Sequence, residues 1–154
     1  MKIVITDGYA VNPGDLSWDC FSKFGDVTVY DTTPNELAAQ RIGDAEIAII
    51  NKTKINEELL AQCPNLKLIC VAATGYNVVD CQATAQRNIP VCNVPGYGTA
   101  AVAQFTFSLL LELCNHVGHH DKLVHEGEWG RRVGFCFWDT PQMELAGKTM
   151  GIIG

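Results

Sequence analysis

The sequence predicts an α/β fold built on one open parallel sheet, and two observations carry that expectation. Short, nearly continuous runs of apolar, β-branched-rich residues recur at 3–5, 27–30, 46–50, 66–71 and 89–92. Such runs suit strands covered on both faces rather than half-solvated ones. Segments of helical character separate them, at 16–24, 35–42, 56–63 and 81–87. The alternation βαβαβαβαβ calls for right-handed crossovers and therefore a parallel sheet.

Punctuation along the chain agrees. Pro34 stands where the second helix starts, and Asn56 precedes Glu57 and Glu58 as a cap followed by an acidic first turn. Pro64 and Pro90 fall where helices must already have stopped. Five strands at this rhythm give the order 2-1-3-4-5, the flavodoxin-like, doubly wound arrangement.

A different element starts at Thr99. From there to Glu126 only Gly118 interrupts, Thr99 can cap the start and Gly127 can close the end. At 1.5 Å per residue a helix over 99–126 is roughly 42 Å long, against about 30 Å for a small domain, so it is expected to reach beyond its own domain. Its first half is apolar nearly all round and requires cover on several sides. It is followed by an aromatic-rich stretch, 127–146, with Trp129, Phe135, Phe137 and Trp138, expected to lie against another surface. From Lys148 a new buried strand is expected, which makes this the front part of a longer protein.

Composition narrows the function classes. There are 11 Lys and Arg against 17 Asp and Glu, a formal charge of −6, with no basic cluster interleaved with aromatics, so a nucleic-acid partner is not expected. The apolar run at 100–113 is broken by Gln104, Ser108 and Glu112 and falls short of a bilayer span, so it reads as a buried helix and no membrane partner is expected. The amino-terminal apolar run is too short for a signal peptide. Seven cysteines without a C-x-x-C pair point to reduced, mostly buried thiols in a cytoplasmic protein.

In an open parallel sheet, ligands bind beyond the carboxyl ends of the strands, near the point where strand order reverses. The residues delivered there are Asp7-Gly8-Tyr9, Asn51-Lys52-Thr53 and Ala72-Ala73-Thr74-Gly75-Tyr76. Thr74 and Gly75 follow a strand and precede a helix, where free backbone amides can hold a small carboxylate, although from the residues alone Gly75 reads first as a plain turn residue. Gly96-Tyr97-Gly98-Thr99 offers a weaker version of the same feature. His116, His119 and His120 share a helical face, but without an added carboxylate they read as a solvated or interfacial face rather than a metal site. No metal is expected.

Several stretches together resemble one family: Gly-Tyr-Asn-Val-Val-Asp at 75–80, Asn-Val-Pro-Gly-Tyr-Gly-Thr at 93–99, Val-Ala-Gln at 102–104, Gly-Glu-Trp at 127–129 and Glu-Leu-Ala-Gly-Lys-Thr-Met-Gly-Ile-Ile-Gly at 144–154. They are similar to the D-isomer-specific 2-hydroxyacid dehydrogenases, and most to the glycerate dehydrogenase or hydroxypyruvate reductase branch, over essentially the whole chain. The resemblance implies a substrate-binding domain at 1–98, a long interdomain helix at 99–126, an extended loop at 127–146 and the first strand of a truncated Rossmann domain at 147–154. It places Asn51, Lys52, Ala73, Thr74 and Gly75 toward the substrate, Val102 near the nicotinamide ring, and Gly154 as the first glycine of G-x-G-x-x-G.

The implied activity is hydride transfer between NAD or NADP and a small 2-keto or 2-hydroxy acid, such as hydroxypyruvate and glycerate or glyoxylate and glycolate, in a homodimer. Such chemistry requires an Arg, an acidic residue and a His. In the family these lie downstream of the glycine motif, and none of His116, His119, His120, His125, Arg131 or Arg132 matches them. No catalytic residue is therefore expected in this segment, and the segment alone is expected to be inactive. The alternatives are a non-catalytic flavodoxin-like binding or oligomerisation module and a phospho-acceptor receiver. The receiver fits poorly, because Asp7 is followed by Gly8 and strand three ends in Asn51 where an acceptor carboxylate would stand.

Overall fold

The computed structural model describes residues 1–153. Its five strands are β1 Lys2–Ile5, β2 Asp26–Val29, β3 Ile47–Ile50, β4 Leu68–Val71 and β5 Val91–Cys92. All neighbours are parallel and the order is β2-β1-β3-β4-β5, as the apolar runs predict. Ile3 pairs with Val27 on one side and Ile47 on the other, and Ile47 pairs with Leu68. The chain divides into two units, Met1–Tyr97 and the residues from Gly98 onward.

The strand order dictates where the connections lie. Right-handed crossovers that step from β1 to β2 and then back through β3, β4 and β5 must use opposite faces of the sheet. One face carries Val4, Ala48, Ile50, Ile69 and Val71, packed against Ala38, Ile42, Leu59, Leu60 and Ala83. Those partners come from α2 Ala38–Ile42, α3 Glu57–Gln62 and α4 Cys81–Gln86. The other face carries Ile3, Ile5 and Ile49 and is covered by Trp18 and Phe21.

The connection on that second face departs from expectation. Instead of a helix over 16–24 there is one 3₁₀ turn, Trp18–Phe21, whose cap Ser17 accepts a hydrogen bond from the Asp19 amide. Ser17 and Asp19 favour local side-chain to backbone bonds over helix propagation. An additional short helix, α1 Gly8–Val11, follows β1 directly. Gly8 is required there by packing, since a Cβ would sit 2.7 Å from Val29 Cγ1. The predicted cap of α3 is present: Asn56 Oδ1 accepts from the Leu59 amide at 2.9 Å.

The cysteines are all free, but only Cys63 and Cys114 are buried, while Cys20, Cys81, Cys92 and Cys136 are exposed. Their positions explain the departure, since Cys81 opens α4 and Cys92 lies on the edge strand.

In the second unit, the single rod expected over 99–126 is two helices, α5 Thr99–Asn115 and α6 Val117–His125, bent by 60°. His116 breaks it, in the left-handed region at φ 49°, ψ 48°. The cause is visible on both sides. Glu112 turns its carboxylate onto the Gly118 amide at 3.2 Å, supplying the acceptor that a new helix start needs. Gly118 in turn weakens the continuous helix. Thr99 is the first residue of α5, with Gly98 in the cap position.

Left-handed backbone costs an L-residue about 1–2 kcal/mol, most for β-branched side chains. His116 already bears most of that cost, so His116→Val is expected to lower the stability of this unit by only about 1 kcal/mol or less, while His116→Gly is expected not to lower it. Thermal unfolding followed by circular dichroism compares the two.

Much of α5 is exposed rather than buried, including Phe105, Phe107, Leu109, Leu111 and Leu113. No single helix among the described residues is long and apolar enough to cross a membrane. The aromatic stretch contains a third short helix, α7 Glu128–Arg131. It folds back on α6: Phe137 meets Trp129 edge-on and His120 at a tilt, and His119 pairs with Asp139 at 2.8 Å. Phe135 is nonetheless 90% exposed, so the expected cover is only partial. Residues 148–153 carry no regular structure, contrary to the expected strand. A strand needs a neighbour to complete its hydrogen bonds, and none is present for it among the described residues.

Candidate functional site

The carboxyl ends of β1 and β3 converge through one buried carboxylate. Asp7, 6% exposed, comes after Thr6 just beyond the end of β1. Its Oδ2 accepts from the amides of Asn51, Lys52 and Thr53 at 2.7, 3.0 and 3.1 Å. The hydroxyls of Thr53 and Thr6 add contacts at 3.0 and 3.1 Å. Burial pushes the Asp7 carboxyl upward, but the three amides and the Thr53 hydroxyl outweigh it and hold it below the usual aspartate value. Asp7 thus acts as an internal anion that shapes the loop after β3.

That arrangement settles what Asn51 and Lys52 can offer. Their backbone amides are engaged by Asp7, so only their side chains remain as donors for a ligand. Asn51 also donates from Nδ2 to the Ala72 carbonyl at 2.8 Å, tying β3 to β4. Lys52 stands exposed at the rim.

The loop after β4 is tied to the chain leaving β5. The Val94 amide donates to the Ala73 carbonyl at 3.0 Å, and Asn93 Nδ2 donates to the Thr74 carbonyl at 2.8 Å. The Thr74 hydroxyl donates to the Val94 carbonyl at 3.1 Å. These bonds use carbonyls and side chains, and the backbone amides of Thr74 and Gly75 meet no acceptor among the described residues. They do not stand at a helix start as expected, because α4 begins only at Cys81, capped by Asp80. They are the free amides of a loop. Gly75 is not in the left-handed region, and a Cβ there would meet only Asn77 Oδ1 at 3.4 Å. The local fold therefore does not require glycine, which weakens the plain-turn reading.

Beside these groups lies a cleft of about 370 Å³ lined by Ala10, Val11, Asn51, Ala72, Val94 and Tyr97. Asn51 and Ala72 form part of its wall, whereas Lys52, Ala73, Thr74 and Gly75 do not line it. Sequence reasoning missed Ala10, Val11 and Val94, which only the turn into α1 and the chain after β5 bring to the cleft, whereas Tyr97 belongs to the 96–99 stretch noted as a weaker candidate. Val102 lies on the first turn of α5 in the second unit, 67% exposed. Gly154 lies outside the described residues.

A family profile described as "D-isomer specific 2-hydroxyacid dehydrogenase, catalytic domain" matches residues 3–149. The chain belongs to the D-isomer-specific 2-hydroxyacid dehydrogenase family. A hydroxypyruvate reductase of Blautia hydrogenotrophica is 52% identical over 100% of this chain and 49% of its own length. An acyclic imino acid reductase solved with NADPH and D-Arg is similar at 29% identity and a TM-score of 0.65, over 82% of this chain and 41% of that one. The fold also matches D-lactate dehydrogenase of Escherichia coli, with a TM-score of 0.70 at 19% identity, over 96% and 46% of the two chains. The chain spans about half the length of the curated relative described here.

Proposed function

We propose that this chain forms the substrate-side part of an oxidoreductase that moves a hydride between NADH or NADPH and a small 2-keto or 2-hydroxy acid. The candidate pairs are hydroxypyruvate with glycerate and glyoxylate with glycolate. One observation carries the reading: two adjacent unengaged amides, at Thr74 and Gly75, beside a cleft at the carboxyl ends of parallel strands. Paired amides of this kind recognise a carboxylate. The likeness to a hydroxypyruvate reductase supports the substrate class, and the likeness to a reductase solved with NADPH supports the cofactor class.

In this reading the Thr74 and Gly75 amides orient the acid, with Asn51 and Lys52 beside them. Val102 fits the cofactor because an exposed aliphatic surface suits a nicotinamide ring, and Gly154 would begin the phosphate-binding turn. The bound dinucleotide supplies the hydride.

The test is reduction of hydroxypyruvate and glyoxylate by the full-length protein, followed as loss of reduced-nicotinamide absorbance. Gly75→Val is expected to raise KM for the acid by about tenfold or more, since its branches obstruct the amides. Failure to reduce either acid would overturn the reading. The isolated 154-residue chain is expected to turn over neither, for want of the Arg, acidic and His set.

The exposed apolar side of α5 favours oligomerisation through 102–117 and 129–138 as well. Light scattering at micromolar concentration is expected to give a dimeric mass; a sharply monomeric one would oppose it.

A further inference from the structure

We infer that Asn51 selects 2-keto acids bearing a hydroxyl next to the keto group, by holding its side-chain carbonyl toward the cleft as a fixed acceptor. The inference rests on the proposed reduction of 2-keto acids and names the substituent that the site prefers.

The argument is one of hydrogen-bond capacity. A side-chain amide has two N–H donors and one carbonyl acceptor. The Ala72 carbonyl can only accept, so the Asn51 NH₂ must face it, and this fixes which end of the amide is which. The backbone amide of Asn51 is engaged by Asp7, so the residue is held from two sides. No donor among the described residues reaches Oδ1, and Asn51 lines the cleft.

The rest of the wall sharpens the preference. Ala10, Val11, Ala72 and Val94 present aliphatic groups, and Tyr97 is the other lining residue with a polar side chain. A substrate hydroxyl donates to Oδ1 and can accept from the second Nδ2 hydrogen. A methyl at the same place leaves Oδ1 unpaired and shielded from water, which is costly. A second carboxylate or a phosphate would bring its oxygens against Oδ1. Sites that pair a substrate hydroxyl reject the analogue lacking it far more strongly than apolar pockets reject an added group.

Hydroxypyruvate and pyruvate differ by that one hydroxyl. The experiment measures kcat/KM for both with the full-length protein and reads their ratio. The native protein is expected to favour hydroxypyruvate by about 100-fold or more. Asn51→Ala is expected to shrink that ratio to within about tenfold of unity. Asn51→Ser, a small polar replacement without the side-chain carbonyl, provides a second variant should alanine impair folding, and the same collapse is expected.

A native ratio near one would overturn the inference without recourse to any variant. So would a parallel loss of both activities in the variants with the ratio kept, because that is what a residue merely pinning β3 to β4 produces. If the native protein reduces no 2-keto acid, the broader reading fails and this inference falls with it. If it reduces both acids without preference, only the inference fails.

Discussion

Asp7→Ala is expected to lower the stability of the Met1–Tyr97 unit by about 3–5 kcal/mol, read from urea unfolding. Removing the carboxylate leaves three amides and two hydroxyls without their common acceptor, in a place that water reaches poorly. Asp7→Asn keeps one oxygen there and is expected to cost about half as much, since it loses the charge but not every bond.

The pH dependence follows from the direction of the Asp7 shift. A carboxyl held below its ordinary value stabilises the fold fully above about pH 4, the unfolded aspartate value. That contribution fades as pH falls through the depressed folded value. Below pH 4 the native chain should therefore lose stability more steeply than Asp7→Asn. Parallel slopes for the two would show that Asp7 is not the internal anion described.

Leu60→Ala is expected to cost about 3 kcal/mol, because the side chain is 1% exposed among the core residues of the sheet's main face. The same truncation at Leu111, exposed on α5, is expected to change the stability of a monomer by less than about 0.5 kcal/mol. Urea midpoints for the pair separate a packed helix from an unpartnered one. A small effect at Leu60 would contradict the packing of α3 on the sheet.

The sheet was legible because its strands announce themselves locally. Apolar runs around Ile3, Ile49 and Ile69 mark the strands, and Asn56 followed by two glutamates marks α3. The turn at His116 was not legible, since a histidine in left-handed backbone leaves no compositional trace. It arises from Glu112 reaching forward to Gly118. The exposure of α5 was hidden for a related reason: an apolar sequence shows that cover is needed, not that the covering surface is present.

At the candidate site the sequence marked the loops after β3 and β4 but not how their polar groups are engaged. Thr74 and Gly75 keep their amides free, as their place after a strand suggests. Those of Asn51 and Lys52 are taken by Asp7, more than 40 positions earlier. A contact at that separation is created only by the β1 to β3 pairing, so no local motif could disclose it.

The contiguity of the first unit bears on how the molecule is made. All five strands are encoded before position 93, and the unit closes at Tyr97. Each pairing joins segments about 20 or more positions apart, which makes assembly slow for a domain of this size. On the ribosome that slowness is offset by order of emergence, because the sheet can be completed while α5 is still enclosed in the exit tunnel. The apolar flank of α5 then meets solvent only after a finished sheet stands upstream, which limits the time in which nascent strands and that flank could stick together.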